Sequence, residues 1–178
     1  VNNDVTYHDS NAEPWKITLV DTGLNTMTGG RVARVRKYLG DEPFMLTYGD
    51  GVSDVDISSL VSFHQKSGKL ATLTAVQTAG KFGALKIDDT SAINAFEEKP
   101  RGDGAWINGG FFVLEPGIFD YIKEGDATIW ERSPLEGLAR DGQLNAYKHN
   151  GFWKPMDTLR DRYELEDMWV KNKAPWKK

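Results

Sequence analysis

The stretch Thr47-Tyr48-Gly49-Asp50-Gly51 constrains this chain more than any other. It follows the apolar run Phe44-Met45-Leu46, and a helix-like segment comes soon after, so it reads as a strand end in an α/β sheet. Open sheets of that kind bind ligands just outside the carboxyl ends of their strands. Two glycines without side chains let a nucleotide or phosphate approach the backbone beside the Asp50 carboxylate. A carboxylate in such a frame, with waters and phosphate oxygens completing the shell, is a usual way to hold Mg2+. Gly-Asp-Gly is equally a turn composition, and both readings stand at this level.

Around that stretch the chain alternates strand-like and helix-like segments. Strands are expected over residues 5–8 and 15–20, the second from the alternation in Trp15-Lys16-Ile17-Thr18-Leu19-Val20. A Gly-rich loop over 21–30 leads into a helical pattern with Val32, Val35, Tyr38 and Leu39 inward. Thr28-Gly29-Gly30 is either an anion-binding loop at a helix start or, more simply, an N-cap by Thr28. Asp56 is expected to cap a helix whose inner face is Ile57, Leu60, Val61 and His64, and residues 70–76 form the clearest buried strand. A β-rich middle follows, over 83–87, 92–97 and 109–114, broken by a loop at 99–104. It suggests an added strand or hairpin layer that carries part of a site. Short helices are expected over 116–122 and over 134–140, the latter with Leu135, Leu138 and Ala139 inward. A strand over 144–148 and an extended segment over 152–157 come next. The closing helix, 158–170, has Leu159, Tyr163 and either Leu165 or Glu166 on its seam, then Met168 and Trp169.

Strands alternating with helices argue an α/β fold with a mixed, mostly parallel sheet flanked by helices, and 178 residues suit one domain, 1–178. The opening Val1-Asn2-Asn3-Asp4-Val5 has no initiator Met and reads as the inside of a domain, so further chain is expected before it. A net charge of -4 without a basic block makes nucleic acid and anionic membrane poor partners. The chain has no Cys, which excludes disulfides and Cys-based zinc sites and fits a cytoplasmic protein. No apolar run approaches the length of a membrane span. The aromatic end, with Trp169 and Trp176, hints at a self-association surface and hence a homo-oligomer.

Three further groups of residues could carry chemistry. Asp54-Val55-Asp56 is a D-x-D of the kind metal-dependent glycosyltransferases use, but acidic residues also suit a helix start. Glu97-Glu98-Lys99-Pro100 sits at a strand end, where Pro turns the chain out of the ladder. Lys99 there can meet a phosphate as a point charge and Glu98 can accept from hydroxyls, or both are simply solvated. Asp157 in Pro155-Met156-Asp157-Thr158 is either an ordinary N-cap or a second Mg2+ ligand beside Asp50. His8, His64 and His149 show no metal spacing, and the six Trp suit core and interface.

In combination these signals acquire a shared identity. The order Tyr48-Gly49-Asp50-Gly51, Phe82-Gly83, Glu98-Lys99-Pro100, Asn108-Gly109-Gly110 and Asp157-Thr158 resembles the sugar-1-phosphate nucleotidylyltransferases. Val20-Asp21-Thr22-Gly23, Met27-Thr28-Gly29-Gly30-Arg31 and Gly151-Phe152-Trp153-Lys154-Pro155-Met156-Asp157-Thr158 are similar to the branch of that family that transfers a cytidylyl group to glucose 1-phosphate. The likeness runs through essentially the whole chain. It implies a Rossmann-like nucleotide-diphospho-sugar transferase fold, CTP and glucose 1-phosphate as partners, and Mg2+ as cofactor. It implies that Thr26, Arg31 and Gly49 contact the nucleotide, and that Asp50 and Asp157 hold the metal. Gly83, Glu98, Lys99 and Asn108 would form the sugar-phosphate pocket, with Lys99 on the phosphate and counted with Asp50 and Asp157 as catalytic. The family's opening strand and Gly-rich loop carrying an Arg, with its Pro-Lys-Pro segment, have no counterpart in these residues. Two readings of other classes remain beside it: a nucleotide-sugar-dependent glycosyltransferase, or a non-catalytic sugar-phosphate-binding or oligomer-forming piece.

Overall fold

The computed structural model describes residues 15–78, 84–87, 93–97 and 105–177. Its centre is a four-stranded sheet in the order β1-β6-β3-β7, with β1 Phe44–Thr47, β6 Ile107–Leu114, β3 Ala71–Val76 and β7 Leu144–His149. β3 and β7 are parallel, and β6 runs antiparallel to both β1 and β3. Three strands therefore share one direction and β6 alone opposes them. This is the mixed sheet flanked by helices that the alternation predicts. β3 is almost wholly buried, as a strand covered on both faces should be, and its small residues Ala and Thr admit two neighbours and two layers.

The core lies on one face, where Phe112 and Leu114 of β6 meet Ile118, Trp130 and Leu138. Trp130 meets Phe112 edge to face at 6.0 Å. α1, Thr28–Val35, joins this core through Val32. Its two glycines let it press against the 126–128 segment. A Cβ on Gly29 would stand 2.7 Å from Thr128 Cγ2, and one on Gly30 would stand 2.8 Å from the Asp126 Cα. The N–H groups of Gly29 and Gly30 both donate to the Thr128 carbonyl. The Thr-Gly-Gly element is thus a close-packing device whose donors are already spent, and the anion-loop reading does not hold for those two amides. Nor is Thr28 the cap. It is the first helical residue, Met27 occupies the cap position, and the Thr28 hydroxyl works elsewhere.

α2, Ile57–Ser67, begins and ends as its sequence requires. Asp56 accepts from the Ser59 N–H at 3.0 Å, and Gly68 closes the helix with a left-handed φ of 61°. Leu60 and His64 are its buried residues. His64 is 1% exposed and its ring nitrogens face Thr72 Oγ1 and Glu115 Oε1, so it is a satisfied core histidine. Ile57, expected inward, is 38% exposed and lies in the first turn of the helix. α3, Ser133–Arg140, buries Leu135 and Leu138 but turns Gly137, rather than Ala139, to the core.

The middle of the chain is the expected hairpin: β4 Ala84–Ile87 pairs antiparallel with β5 Ile93–Glu97. β8 Trp153–Pro155 pairs antiparallel with β2 Gly51–Ser53 as a separate ladder. α4, Leu159–Val170, follows β8. Its cap is Thr158, which forms a reciprocal capping box with Asp161. Only Leu165 is buried on α4, while Leu159, Tyr163 and Trp169 are exposed, so the seam is narrower than its apolar residues suggested. Trp176 packs on Phe152 with ring centres 5.2 Å apart and an interplanar angle of 31°.

One strand expectation fails. Residues 15–20 form no strand, and Trp15, Ile17 and Leu19 lie exposed at 75%, 73% and 92%. Alternation gives a strand only where another strand and an apolar surface receive it, and no described residue supplies either here. The strand expected over 5–8 lies outside the described residues.

Candidate active site

The strand end at Asp50 lies beside a cavity that Asp50 helps to line. β1 ends at Thr47, the chain bends through Gly49 and Asp50, and β2 starts at Gly51. β2 is held by β8 in the register Gly51↔Pro155, Val52↔Lys154, Ser53↔Trp153. The ladder goes one bond further, since the Met156 N–H donates to the Asp50 carbonyl at 2.8 Å. Asp157 is therefore bound through its neighbour to the strand end that carries Asp50. Two segments far apart in sequence are thus joined at one end of this ladder, with Asp157 next along the chain from the Met156 bonded to Asp50.

What anchors the ladder is a second contact. The Trp153 indole N–H donates to the Gly109 carbonyl at 2.8 Å, which fastens β8 to β6. Gly109 must be small, because a Cβ there would meet the Thr74 carbonyl at 2.9 Å. Gly151 is equally constrained: a Cβ would lie 2.4 Å from Asp54 Oδ1 and 2.6 Å from the His149 ring.

The cavity beside Asp50 has a volume of about 460 Å3 and is lined by Thr28, Tyr48, Gly49, Asp50 and Glu131. Its wall is one hydrogen-bonded chain. The Tyr48 hydroxyl donates to Glu131 Oε1 at 2.6 Å and accepts from Asn108 Nδ2 at 3.1 Å. The Thr28 hydroxyl donates to Glu131 Oε2 at 2.9 Å and accepts from the Trp130 N–H at 2.9 Å. Asn108 is itself fixed, its Oδ1 accepting from the Gly110 N–H. Burial, then the bond to Glu131, pushes the Tyr48 hydroxyl well above the usual tyrosine range, so it remains a donor.

Of the residues expected at the site, Gly49 and Asp50 line the cavity, Asn108 bonds to its wall through Tyr48, and Asp157 follows Met156, whose N–H is bonded to the Asp50 carbonyl. Thr26 and Arg31 lie apart from this lining. Thr26 is buried beneath Gly23 and Gly30. The Arg31 guanidinium donates to Thr22 Oγ1 at 2.6 Å and to the Leu24 carbonyl at 3.3 Å, which braces the 22–26 loop. Gly83, Glu98 and Lys99 lie outside the described residues. Sequence reasoning missed Glu131 and Thr28 as wall residues. Glu131 stands 83 positions from Tyr48 and belongs to no motif with it.

The Asp50 and Asp157 carboxylates make no hydrogen bond or ion pair among the described residues. No group of three or more His, Cys, Asp or Glu suited to a metal occurs among those residues. Asp50 and Asp157, unspent among the described residues, are hard oxygen donors of the kind that fits Mg2+, which takes one or two carboxylates and leaves its other positions to water and phosphate. The D-x-D is different. Asp56 caps α2, and Asp54 Oδ1 accepts from the Phe152 N–H at 2.7 Å and faces His149 Nε2 at 2.9 Å. Both carboxylates are spent on structure, which removes the feature that supported the glycosyltransferase reading.

Residues 11–164 match the family model described as nucleotidyl transferase. The chain is 55% identical over 176 residues to glucose-1-phosphate cytidylyltransferase of Salmonella typhi, covering 98% of this chain and 68% of that protein. Its identity and coverage with the enzyme of the same name from Salmonella typhimurium are the same. A UDP-glucose pyrophosphorylase solved with UDP-glucose superposes with a TM-score of 0.61 at 18% identity, covering 86% of this chain and 65% of that one. That likeness shows the fold. The chain thus spans about two thirds of the length of each of these proteins.

Proposed function

This chain belongs to the nucleotidyl transferase family, among the glucose-1-phosphate cytidylyltransferases, and from that premise we propose that it transfers a cytidylyl group from CTP to α-D-glucose 1-phosphate, giving CDP-glucose and pyrophosphate. The observation that carries the site is the Asp50–Met156 bond, which brings Asp157 to the strand end that carries Asp50 beside the cavity. Residues 1–178 act in this reading as a single nucleotidyltransferase domain.

The reaction joins two anions, so charge and position dominate. An oxygen of the sugar phosphate, already ionised, attacks the α-phosphorus of CTP in line as the bond to the pyrophosphate oxygen breaks, and no protein base is required. Mg2+ held by Asp50 and Asp157 would neutralise phosphate charge in that step. Gly49, with no side chain, lets the nucleotide approach the backbone next to Asp50. Thr26 and Arg31 contact the nucleotide in this reading, the Arg31 guanidinium being braced on Thr22 and the Leu24 carbonyl. Gly83, Glu98, Lys99 and Asn108 form the sugar-phosphate pocket, with Glu98 accepting from sugar hydroxyls and Lys99 meeting the phosphate as a point charge.

The same reading includes a homo-oligomer, supported by exposed Leu159, Tyr163 and Val170 on α4. A monomer in sedimentation at micromolar concentration would remove that part. The experiment for the activity is pyrophosphate release with product analysis. CDP-glucose from CTP and glucose 1-phosphate supports the reading, and equal turnover of UTP or dTTP counts against cytidine.

A further inference from the structure

We propose that Glu131 reads a hydroxyl of the glucosyl group and is a specificity-determining residue of this site. The inference rests on the cytidylyltransferase reading above and adds a residue to it. Its basis is a count of donors and acceptors on the cavity wall.

Tyr48 and Thr28 each have one hydroxyl proton, and both protons are turned onto Glu131, at 2.6 and 2.9 Å. The same two hydroxyls already accept from Asn108 Nδ2 and the Trp130 N–H. A carboxylate has about four lone-pair sites and no proton to give. Two are used here, so each Glu131 oxygen keeps acceptor capacity. The hydroxyl protons of Tyr48 and Thr28 are both spent, so the wall at Glu131 itself presents acceptors and negative charge.

Such a wall repels phosphate and receives hydroxyls, whose protons make strong bonds to an ionised acceptor. Gly49 and Asp50 line the same cavity, with a metal-competent carboxylate on that side. With Mg2+ on Asp50, as in the reading above, the cavity would be polarised, phosphates at Asp50 and the neutral polyol at Glu131. Its volume of about 460 Å3 is of the size that holds such a ligand. Tyr48 ties Glu131 to Asn108, which lies on the sugar-phosphate side in the reading above, and this selects glucose over ribose.

Glu131 is also held rigidly enough to discriminate. Its neighbour Trp130 is 1% exposed and seated on Phe112, and α3 begins two residues later. A reading group on such a support loses little freedom when the ligand arrives.

The test is steady-state kinetics of the wild type and Glu131→Gln with CTP, 2′-deoxy-CTP, glucose 1-phosphate and its 2-, 3-, 4- and 6-deoxy analogues. Glu131→Gln keeps shape and one acceptor but presents donors. The expected result is a roughly 10- to 100-fold rise in KM for glucose 1-phosphate, with KM for CTP and the melting temperature nearly unchanged. One deoxy analogue that the wild type penalises should lose its penalty in the variant. Glu131→Asp, which keeps the charge but shortens the reach, should lose discrimination at the same hydroxyl even if the Gln variant is less stable. Equal penalties for all four analogues in wild type and variants would overturn the proposal and leave Glu131 as a brace for Tyr48. Loss of the penalty for 2′-deoxy-CTP instead would overturn it in favour of ribose. A wild type that does not turn over glucose 1-phosphate at all would overturn the cytidylyltransferase reading itself, and this proposal with it.

Discussion

The backbone N–H of Met156 donates to the carbonyl of Asp50 across 2.8 Å, and this bond brings Asp157 to the strand end that bears Asp50. Neither carboxylate is spent on another described residue. The short β2–β8 ladder behind the bond is fixed by Trp153 on the Gly109 carbonyl, so the site depends on β6 as well as on its own two strands.

Gly110→Ala should destabilise the protein and loosen the cavity wall together. Gly110 has φ +78°, and a Cβ there would stand 2.7 Å from Tyr48 Cδ2. The left-handed backbone alone costs about 1–3 kcal/mol for a residue with a side chain. A lower urea midpoint accompanied by a higher KM for glucose 1-phosphate is the expected pair of results; an unchanged midpoint would show that the backbone there is free to relax.

Lys99→Ala should act on the sugar phosphate. Lys99 stands in the Glu98-Lys99-Pro100 motif, and the sugar phosphate needs a cation. Loss of one charge-assisted contact is worth roughly 1.5–3 kcal/mol. The expected outcome is a raised KM for glucose 1-phosphate with little change for CTP. Kinetics equal to wild type for both substrates would make Lys99 a solvated strand-end residue.

The docking of α4 on β8 should weaken in acid. Lys154 Nζ lies 2.6 Å from Glu164 Oε2 and 3.2 Å from Asp161 Oδ1. The ammonium holds the Glu164 carboxyl below its usual 4.5, and the Thr158 hydroxyl, then Lys154, holds Asp161 below its usual 3.8. Carboxyls depressed in the folded state contribute stability above those usual values and lose it as the pH falls through the depressed ones. Lys154 is raised, chiefly by Glu164, so its contribution is present below its usual 10.5 and lost only as the pH rises past that. The difference in melting temperature between wild type and Lys154→Met should be flat at neutral pH and shrink below about pH 4. A difference independent of pH down to about pH 2 would assign it to packing of the Lys154 stem.

Much of this was legible where local chemistry decides the structure. Asp56 and Gly68 bound α2 because a cap oxygen and a left-handed glycine act within a few residues. The carboxyl end of β1 points to Asp50 because strand ends in such sheets point to ligands. Legibility fails where distant residues decide. Asp157 and Thr158 are both good caps, and only the geometry of the first turn shows that Thr158 and Asp161 do the capping. Asp54-Val55-Asp56 looks like one motif, but His149 and Phe152 claim its first carboxylate. Glu131 has no signal in its own neighbourhood, since Tyr48 and Thr28 give it meaning only after folding. Residues 15–20 alternate like a strand, yet alternation cannot supply the surface a strand needs.

The central claim is that Asp50 and Asp157 share one Mg2+, and it is tested most directly by Asp157→Asn, assayed for CDP-glucose formation across Mg2+ concentration. Thr158 caps α4, so this substitution should leave the melting temperature close to wild type. Loss of a metal-ligand charge should lower activity by orders of magnitude, with partial recovery at high Mg2+. Near-normal activity at low Mg2+ would contradict the claim and leave Asp157 as an exposed residue beside a structural bond.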